Sequence, residues 1–295
     1  MAGAESRRVF ILGGGAGLGA HQVGALKYLA EQGLKPDVLI CSSIGAINGC
    51  VFASGGVEGL EAAWGAFRSL PRLRPSFKNN LLTGNSVFCL ETMAAGLEEF
   101  MDFPDLLASR LELEIVLLNL SRGHAQMWSN RMCRDWRELR SVARAGYAIP
   151  PLFGPVEIRG EHYVDGGLAW NVPLEHAIEC RATEVFILAP IASQLPYRSS
   201  FKGFADYSAR LLDVLWRTIG NTGHLYARIE NGLYHGVPVT IIEPGEELSG
   251  FSPLGLFHAY PEKSTRMIAA GYRDAKRALE RPSARAARSS LRAAS

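Results

Sequence analysis

The sequence predicts an α/β fold in which a mostly parallel central sheet has helices on both faces. Short apolar runs of strand length alternate along the chain with longer segments of helical periodicity. Two of these runs, 113–119 and 184–190, are apolar almost throughout, as strands buried on both faces are. With 295 residues, 47% of them hydrophobic, the chain can form one large core. We expect a single domain over 1–280 and a tail over 281–295.

Strands and helices can be placed from the order of these patterns. After the first strand, apolar residues from Val23 to Leu29 recur at helical spacing, and Gly33 is placed to end that helix. Two short extended runs joined at Arg159-Gly160 predict a hairpin. The main strands are expected near 8–12, 37–42, 113–119, 184–190 and 237–242.

A serine follows the second of these strands. Val38–Cys41 runs into Ser42-Ser43-Ile44-Gly45, and a helix of small residues comes next. A sharp strand-to-helix turn exposes a serine Oγ, needs small flanking residues and points helical N–H groups toward developing negative charge. Gly45 meets this need, whereas Cys41 stands where the Gly-x-Ser-x-Gly pattern has its first glycine. The segment predicts a nucleophile at Ser43.

Glycines also fill the turn after the first strand, over residues 13–19. Successive N–H groups in such a turn converge on an anion, either a phosphate or an oxyanion. Read as Gly15-x-Gly17-x-x-Ala20, the turn fits a dinucleotide-binding fingerprint, which needs an acid about 20 residues later. Asp37 lies near that distance, but at the start of a strand. A dinucleotide-binding oxidoreductase and a purely structural turn are therefore alternatives.

A carboxylate ends the second strand of the predicted hairpin. Asp165 is followed by Gly166 and Gly167, which let the backbone bring the carboxylate close to another group. Pro173 suits the first turn of a helix over 174–180. Taken by itself, an Asp-Gly pair is as well explained by a tight, solvated turn.

Together these segments resemble the patatin-like phospholipases, a family of serine lipid acyl hydrolases. The resemblance is strong over 7–190 and looser to about 280. It implies a patatin-like three-layer α/β/α fold and cleavage of carboxylic esters of phospholipids or other lipids. The matching segments are Gly-Ala-His-Gln-Val-Gly-Ala-Leu-Lys at 19–27, Ser-Ile-Gly-Ala-Ile-Asn at 43–48, Ala-Ile-Pro-Pro-Leu-Phe-Gly-Pro-Val-Glu-Ile at 148–158, and Tyr-Val-Asp-Gly-Gly at 163–167 with its trailing Asn-Val-Pro-Leu at 171–174.

Carried over position by position, the resemblance implies a two-residue dyad. Ser43 matches the nucleophile and Asp165 the general base, and no histidine is required. Matched backward from Gly19–Gly24, Leu18 stands where the family usually has Arg or Lys and Ala16 stands at a glycine position; matched forward from Gly13, the loop has one extra residue. Either way the oxyanion donors are ambiguous by one position, and loss of the cation leaves a neutral acyl ester open as substrate. The implied oxyanion donors are the backbone N–H groups of Gly14, Gly15, Ala16 and Gly17, and the residues that shape the two motifs are Cys41, Gly45, Gly166 and Gly167.

Other functions use the same residues. An acyltransferase or a thioesterase would need the same dyad, since only the substrate or the acyl acceptor differs. A catalytically silent lipid-binding protein would keep the fold without the chemistry. A Ser-His-Asp triad could use His21 or His176, which lie on predicted helices near the site.

Composition narrows the cofactors and partners. Among the other histidines and the cysteines there is no metal-ligand spacing and no Cys-x-x-Cys pair, so we expect no metal, no cofactor and free thiols in a reducing compartment. A net charge of +2 gives no reason to expect nucleic acid. No apolar run approaches the roughly 20 residues of a membrane span. The apolar run 9–12 is broken by glycines, unlike a signal peptide.

We therefore expect a cytoplasmic protein whose partner is a lipid or another acyl ester and which meets membranes only transiently, in an oligomeric state that the sequence leaves open. Residues 69–90 are expected to form an irregular loop over Ser43. The apolar stripe from Phe204 to Ile219 is expected in the core, with an acyl-chain groove as the alternative. Four arginines between Arg281 and Arg292 lie in an Ala/Ser-rich tail that we expect to be disordered.

Overall fold

A computed structural model of the chain describes residues 6–66, 88–193, 197–204, 206–208, 210–211, 214, 225–245 and 261–281. Its strands are β1 (Arg8–Leu12), β2 (Val38–Cys41), β3 (Glu112–Asn119), β4 (His124–Ser129), β5 (Val156–Ile158), β6 (Glu161–Asp165), β7 (Glu184–Leu188), β8 (Leu233–Tyr234) and β9 (Val237–Ile242). Its helices are α1 (Ala20–Glu31), α2 (Ile44–Ala66), α3 (Leu90–Glu98), α4 (Phe103–Ala108), α5 (Trp136–Gly146), α6 (Leu174–Glu179) and α7 (Pro261–Glu280). Short 3-10 turns cover Ala16–Gly19 and Asn130–Met132.

The strands form one mixed, mostly parallel sheet, in the order β5-β6-β3-β2-β1-β7-β9-β8, with β4 on β3. The five central strands of the sheet are mutually parallel; in spatial order they are β3, β2, β1, β7 and β9. Among the described strands, antiparallel pairs occur only toward the two edges of the sheet. The predicted α/β class is confirmed. A parallel sheet of this kind is buried on both faces, which explains why β1, β2 and β7 consist of apolar residues almost without interruption.

Two apolar layers cover the sheet. The larger packs side chains of α1, α2, α5 and α7 against one face, where Phe10 and Leu39 are fully buried. On this side α1 and α7 touch through Tyr28 and Tyr272, whose rings meet edge to face at 5.1 Å. The smaller layer places α6 against the other face through Leu174 and its neighbours.

The predicted strands are confirmed with small changes of boundary. β1 and β9 begin and end where expected, while the run 184–190 ends as a strand at Leu188. The hairpin around Arg159-Gly160 is also confirmed, since β5 and β6 pair antiparallel on either side of it. β4 was not predicted, because the polar residues of its exposed first half hide the alternation of a strand.

Two predicted regions fall wholly or mostly outside the described residues. They are the tail after Arg281 and nearly all of the loop 69–90. The stripe from Phe204 is described only in part, and there the core expectation is wrong: Phe204 is 85% exposed, and Tyr207 and Leu211 are exposed as well. Apolar residues at helical spacing show that a helix has an apolar face, but not whether that face packs against the rest of the protein. The described residues of this stripe are exposed to solvent. Within the described ranges, no helix combines the length and apolar character needed to cross a bilayer.

Candidate active site

Ser43 lies in a tight turn between β2 and α2. Its φ is +55°, a left-handed conformation that costs a non-glycine residue of the order of 1 kcal/mol. The helix starts at once, because Gly45 donates its N–H to Ser42 O and Ala46 donates to Ser43 O, each at 2.8 Å. The side chain therefore stands at the N-terminus of α2, beyond the end of its strand.

The turn is held against the end of β1. The N–H of Ser42 donates to Leu12 O at 3.0 Å. A Cβ on Gly45 would collide with that same carbonyl, so this position needs glycine. Cys41, which departs from the usual pattern, is completely buried, and burial raises the pKa of its thiol well above the ordinary value. Its Sγ packs against Gly49, where a Cβ would collide with the sulfur, so a glycine in α2 makes room for the thiol.

Asp165 ends β6 and is only 2% exposed. Its Oδ1 accepts the N–H of Gly167 at 2.8 Å. Burial raises the pKa of this carboxyl to about 7, although hydrogen bonding from the Ser43 hydroxyl and from Gly167 acts in the opposite direction. The group therefore exchanges its proton near neutral pH, as an unperturbed aspartate would not.

The structure brings Ser43 and Asp165 to one place. A Cβ built on Gly167 would lie 3.1 Å from Asp165 Oδ1 and 3.4 Å from Ser43 Cβ. Gly167 is therefore close to both side chains, and both lie in one small region. Among the described residues, Ser43 Oγ and Asp165 Oδ2 lack a partner within ordinary hydrogen-bond limits, although the hydroxyl is close enough to lower the carboxyl pKa. The contact is looser than a full hydrogen bond, as is common before a substrate binds.

The glycine-rich turn after β1 lies against the same point. A Cβ on Gly14 would stand 2.8 Å from both Ser43 Cβ and Asn171 Oδ1. However, the Gly14 N–H already donates to Asn171 Oδ1 at 2.5 Å. Of the four expected oxyanion donors, the Gly14 N–H is thus already hydrogen-bonded to a side chain of the protein.

Asn171 is a site residue that the sequence did not reveal. It is nearly buried, and its amide reaches the turn from a segment far along the chain. The residue belongs to the segment Asn-Val-Pro-Leu at 171–174, which resembles the family, but nothing in the sequence showed which group its side chain would meet.

Two further buried amides support the turn from below. Gln22 Nε2 donates to Gly13 O at 2.8 Å and to Leu188 O at 2.9 Å, which ties the ends of β1 and β7 together. Asn48 Nδ2 in turn donates to Gln22 Oε1 at 2.8 Å. Because buried amides of this kind are costly to leave unpaired, the network fixes the path of the turn.

The structure gives the alternative site residues other partners. His21 is fully buried, and its Nε2 pairs with Asp274 Oδ2 at 2.9 Å. His176 Nε2 pairs with Glu114 Oε2 at 2.7 Å, in a cluster with Cys180 whose ligand atoms lie close enough to share a metal ion. Within the described part of the chain, neither histidine has a hydrogen bond to Ser43.

Asp37, the acid that a dinucleotide site would need, lies at the N-terminal ends of the strands, away from the glycine-rich turn. Its Oδ2 accepts the N–H of Arg8 at 2.7 Å, where β1 and β2 begin. The glycine-rich turn comes after Leu12, at the opposite ends of the same strands. A carboxylate in this position does not reach a ribose bound at the turn.

Comparison with known proteins gives the class of this chain. A family model described as patatin-like phospholipase matches residues 10–178, which is more than half of the sequence. The chain belongs to the patatin-like phospholipase family.

Individual relatives are more distant. The chain is 28% identical over 170 residues to a patatin-like phospholipase domain-containing protein, ZK370.4, of Caenorhabditis elegans; the match covers 56% of this chain and only 12% of that relative. Among solved structures, VipD from Legionella pneumophila is 14% identical with a TM-score of 0.47, over 94% of this chain and 67% of VipD. The type III effector ExoU is 14% identical with a TM-score of 0.40, over 94% of this chain and 54% of ExoU.

Proposed function

We propose that this protein is a lipid acyl hydrolase that cleaves carboxylic esters through an acyl-enzyme on Ser43, with Asp165 as the general base. One observation carries the proposal. A strained serine at a helix N-terminus lies beside a buried carboxyl group whose pKa is raised to about 7. Membership of the patatin-like phospholipase family supports a lipid ester as the substrate class.

In the first half of the reaction, the Asp165 carboxylate accepts the proton of Ser43 Oγ while Oγ attacks the ester carbonyl carbon. The tetrahedral intermediate then collapses, and the proton passes from Asp165 to the departing alcohol oxygen. In the second half, Asp165 takes a proton from water as the water attacks the acyl-enzyme. The free acid leaves, and the proton returns to Ser43 Oγ.

The environment of Asp165 suits this role. An exposed aspartate is too weak a base to deprotonate a serine efficiently, because its conjugate acid loses its proton near pH 4. Burial destabilises the charged form and raises the pKa to about 7. A base whose pKa lies near the working pH combines a large deprotonated fraction with useful proton affinity.

The oxyanion would be stabilised from two directions. Ser43 stands at the N-terminus of α2, whose dipole favours negative charge there. We assign the hydrogen bonds to backbone N–H groups of Gly15, Ala16 and Gly17 in the glycine-rich turn. The fourth expected donor, Gly14, would join them only if Asn171 released its N–H.

The site residues indicate an ester bond in the substrate more clearly than they indicate a particular head group. Leu18, which stands at the family's basic position when the turn is matched backward from Gly24, is buried among apolar residues and brings no cation to the turn. We therefore propose neutral acyl esters as substrates on an equal footing with phospholipids. A lipid of either kind would be met at a membrane or droplet surface.

The proposal is tested by incubating the purified full chain with phospholipids, triacylglycerols and acyl thioesters and measuring fatty acid release. We expect release from at least one oxygen ester, its loss in Ser43→Ala, and its retention in Ser199→Ala, which removes an exposed serine. Acyl transfer to an added alcohol without release to water would instead identify a transferase. Lipid binding without turnover of any substrate would contradict the proposal.

A further inference from the structure

A second group of reactive side chains meets on the sheet face that α6 covers. Glu114 comes from β3, whereas His176 lies in α6 and Cys180, four positions later, is the residue that follows the end of this helix. His176 Nε2 is 2.7 Å from Glu114 Oε2. Cys180 Sγ is 3.6 Å from His176 Nε2 and 3.7 Å from Glu114 Oε2. One carboxylate, one imidazole and one thiol thus converge on one point.

We propose that Glu114, His176 and Cys180 bind Zn²⁺ through these three atoms. Tetrahedral zinc holds nitrogen and oxygen at about 2.0 Å and sulfur at about 2.3 Å, which places sulfur about 3.5 Å from either of the other ligands. The two observed sulfur separations, 3.6 and 3.7 Å, agree with this geometry. The oxygen-to-nitrogen separation has to open by roughly half an ångström, which a side-chain rotation supplies.

The imidazole is already oriented for this role. His176 Nδ1 lies 3.0 Å from Glu179 Oε2, so the carboxylate accepts a hydrogen bond from that nitrogen. In the metal-free chain Nε2 donates its proton to Glu114 Oε2 at 2.7 Å; loss of that proton, with the one on Nδ1 retained, would direct the Nε2 lone pair at the ion. Zinc-binding histidines usually have such a carboxylate on their second nitrogen.

The charges at this point are compatible with a bound cation. Glu114 is largely buried, and in the described part of the chain its ion-pair partner is His176 rather than any lysine or arginine. In the metal-free chain the His176 imidazolium is that counter-charge, since its contacts with Cys180 and Glu114 raise the pKa of the imidazole to about 11. A zinc ion that displaces the Nε2 proton would take over this role. A divalent ion satisfies the carboxylate and the thiolate together. The partly exposed Cys180 side leaves room for a water molecule as the fourth ligand.

A bound ion would connect parts of the chain that frame the site of Ser43. On one side it holds β3, where Leu117 pairs with Asp165. On the other it holds α6, which begins three residues after Asn171. The ion would therefore restrain both ends of the segment 165–173. Zinc binding itself does not depend on the proposed hydrolase activity.

The test is metal binding by the full chain near neutral pH. Competition with a chromophoric chelator should show one tightly bound Zn²⁺ per chain, and Co²⁺ in its place should give a thiolate charge-transfer band. We expect Cys180→Ser and His176→Gln each to weaken binding by about 100-fold or more, and Glu179→Gln by about tenfold. Cys133→Ser, which removes a thiol bound to Ser129 O, is the matched control and should bind as the parent does.

Two results would overturn the proposal. The first is that Cys180→Ser and His176→Gln bind Zn²⁺ with the same affinity as the parent chain. The other is a parent chain that binds no stoichiometric Zn²⁺ or whose Co²⁺ form lacks the thiolate band. The second result needs no variant, so it decides the matter even if a substitution prevents folding.

Discussion

Asp165 and Ser43 stand at the same level along β3, one on each side of it. Asp165 pairs with Leu117 of β3, and Cys41 at the end of β2 pairs with Ile115. Ser43 is two residues beyond Cys41, just as Leu117 is two residues beyond Ile115. Because β2 has ended at this level, the chain can turn over the edge of the sheet and bring the hydroxyl toward the carboxylate. The sheet register thus sets the two groups at the same level along the strands.

The first prediction concerns pH. The raised pKa of Asp165 means that the base form predominates only above about pH 7. We expect kcat/KM on a neutral ester, measured from about pH 5 to about pH 9, to rise through an apparent pKa near 7 and then level off. A profile that is already flat above pH 5 would show that a carboxyl with an ordinary pKa, or a different group, is the base.

The second prediction concerns the effect of the Asp165 carboxylate on the stability of the fold. The folded state keeps the Asp165 proton up to about pH 7, whereas the unfolded chain loses it near pH 4. The free energy of unfolding should therefore fall as pH rises between these values and stay lower above them. Asp165→Asn removes this penalty, so we expect it to be more stable than the parent above pH 7, by up to roughly 4 kcal/mol, and similar in stability near pH 4.

The same variant should lose about a thousandfold or more in kcat, since no base remains beside Ser43. Denaturant unfolding at several pH values, together with the kinetics, checks both effects. Asp102→Asn is the control, because asparagine can also cap α4, and neither its activity nor its pH dependence should differ from the parent. Near-normal turnover in Asp165→Asn would remove the dyad from consideration.

The third prediction concerns Asn171→Ala. The change leaves the buried Gly14 N–H without its acceptor, which should lower the free energy of unfolding by about 1–3 kcal/mol. With the turn less well fixed, we expect kcat to fall by about ten- to a hundredfold. The apparent pKa near 7 should persist, because Asp165 keeps its bond to Gly167. An unchanged kcat in a destabilised variant would make Asn171 a purely structural residue.

The fourth prediction separates the dyad from a triad. His21 and His176 are paired with Asp274 and Glu114, so we expect His21→Gln and His176→Gln to keep kcat within about tenfold of the parent. His21→Gln should nevertheless be less stable, by about 1–3 kcal/mol, because it weakens a buried pair. Loss of activity by a thousandfold in either variant, with the fold intact by circular dichroism, would restore a histidine as the base.

Much of the fold could be predicted because its signals are local. Continuous apolar runs showed β1, β3 and β7, and small residues around Ser43 indicated a sharp turn. That Ser43 and Asp165 would meet came from the family resemblance, since segments so far apart in the chain give no local sign of contact. The structure supplies the physical reason in the pairing of β3 with both β2 and β6.

What the sequence did not predict depends on where side chains point. The bond from Gly14 to Asn171, and the meeting of Glu114 with His176 and Cys180, each join residues from separate elements. Such contacts depend on strand register and helix rotation, which hydrophobic periodicity constrains only to a face. The four-residue spacing of His176 and Cys180 was visible, but not the strand carboxylate that completes the group.

The most direct test of Ser43 as the nucleophile is labelling with a fluorophosphonate, followed by mass spectrometry of the digested protein. We predict a single adduct on Ser43, absent from Ser43→Ala and retained in Ser42→Ala, since Ser42 Oγ donates to Trp170 O. Labelling should slow as pH falls through about 7, in step with Asp165. An adduct on another residue, or ester turnover that survives in Ser43→Ala, would contradict the central claim.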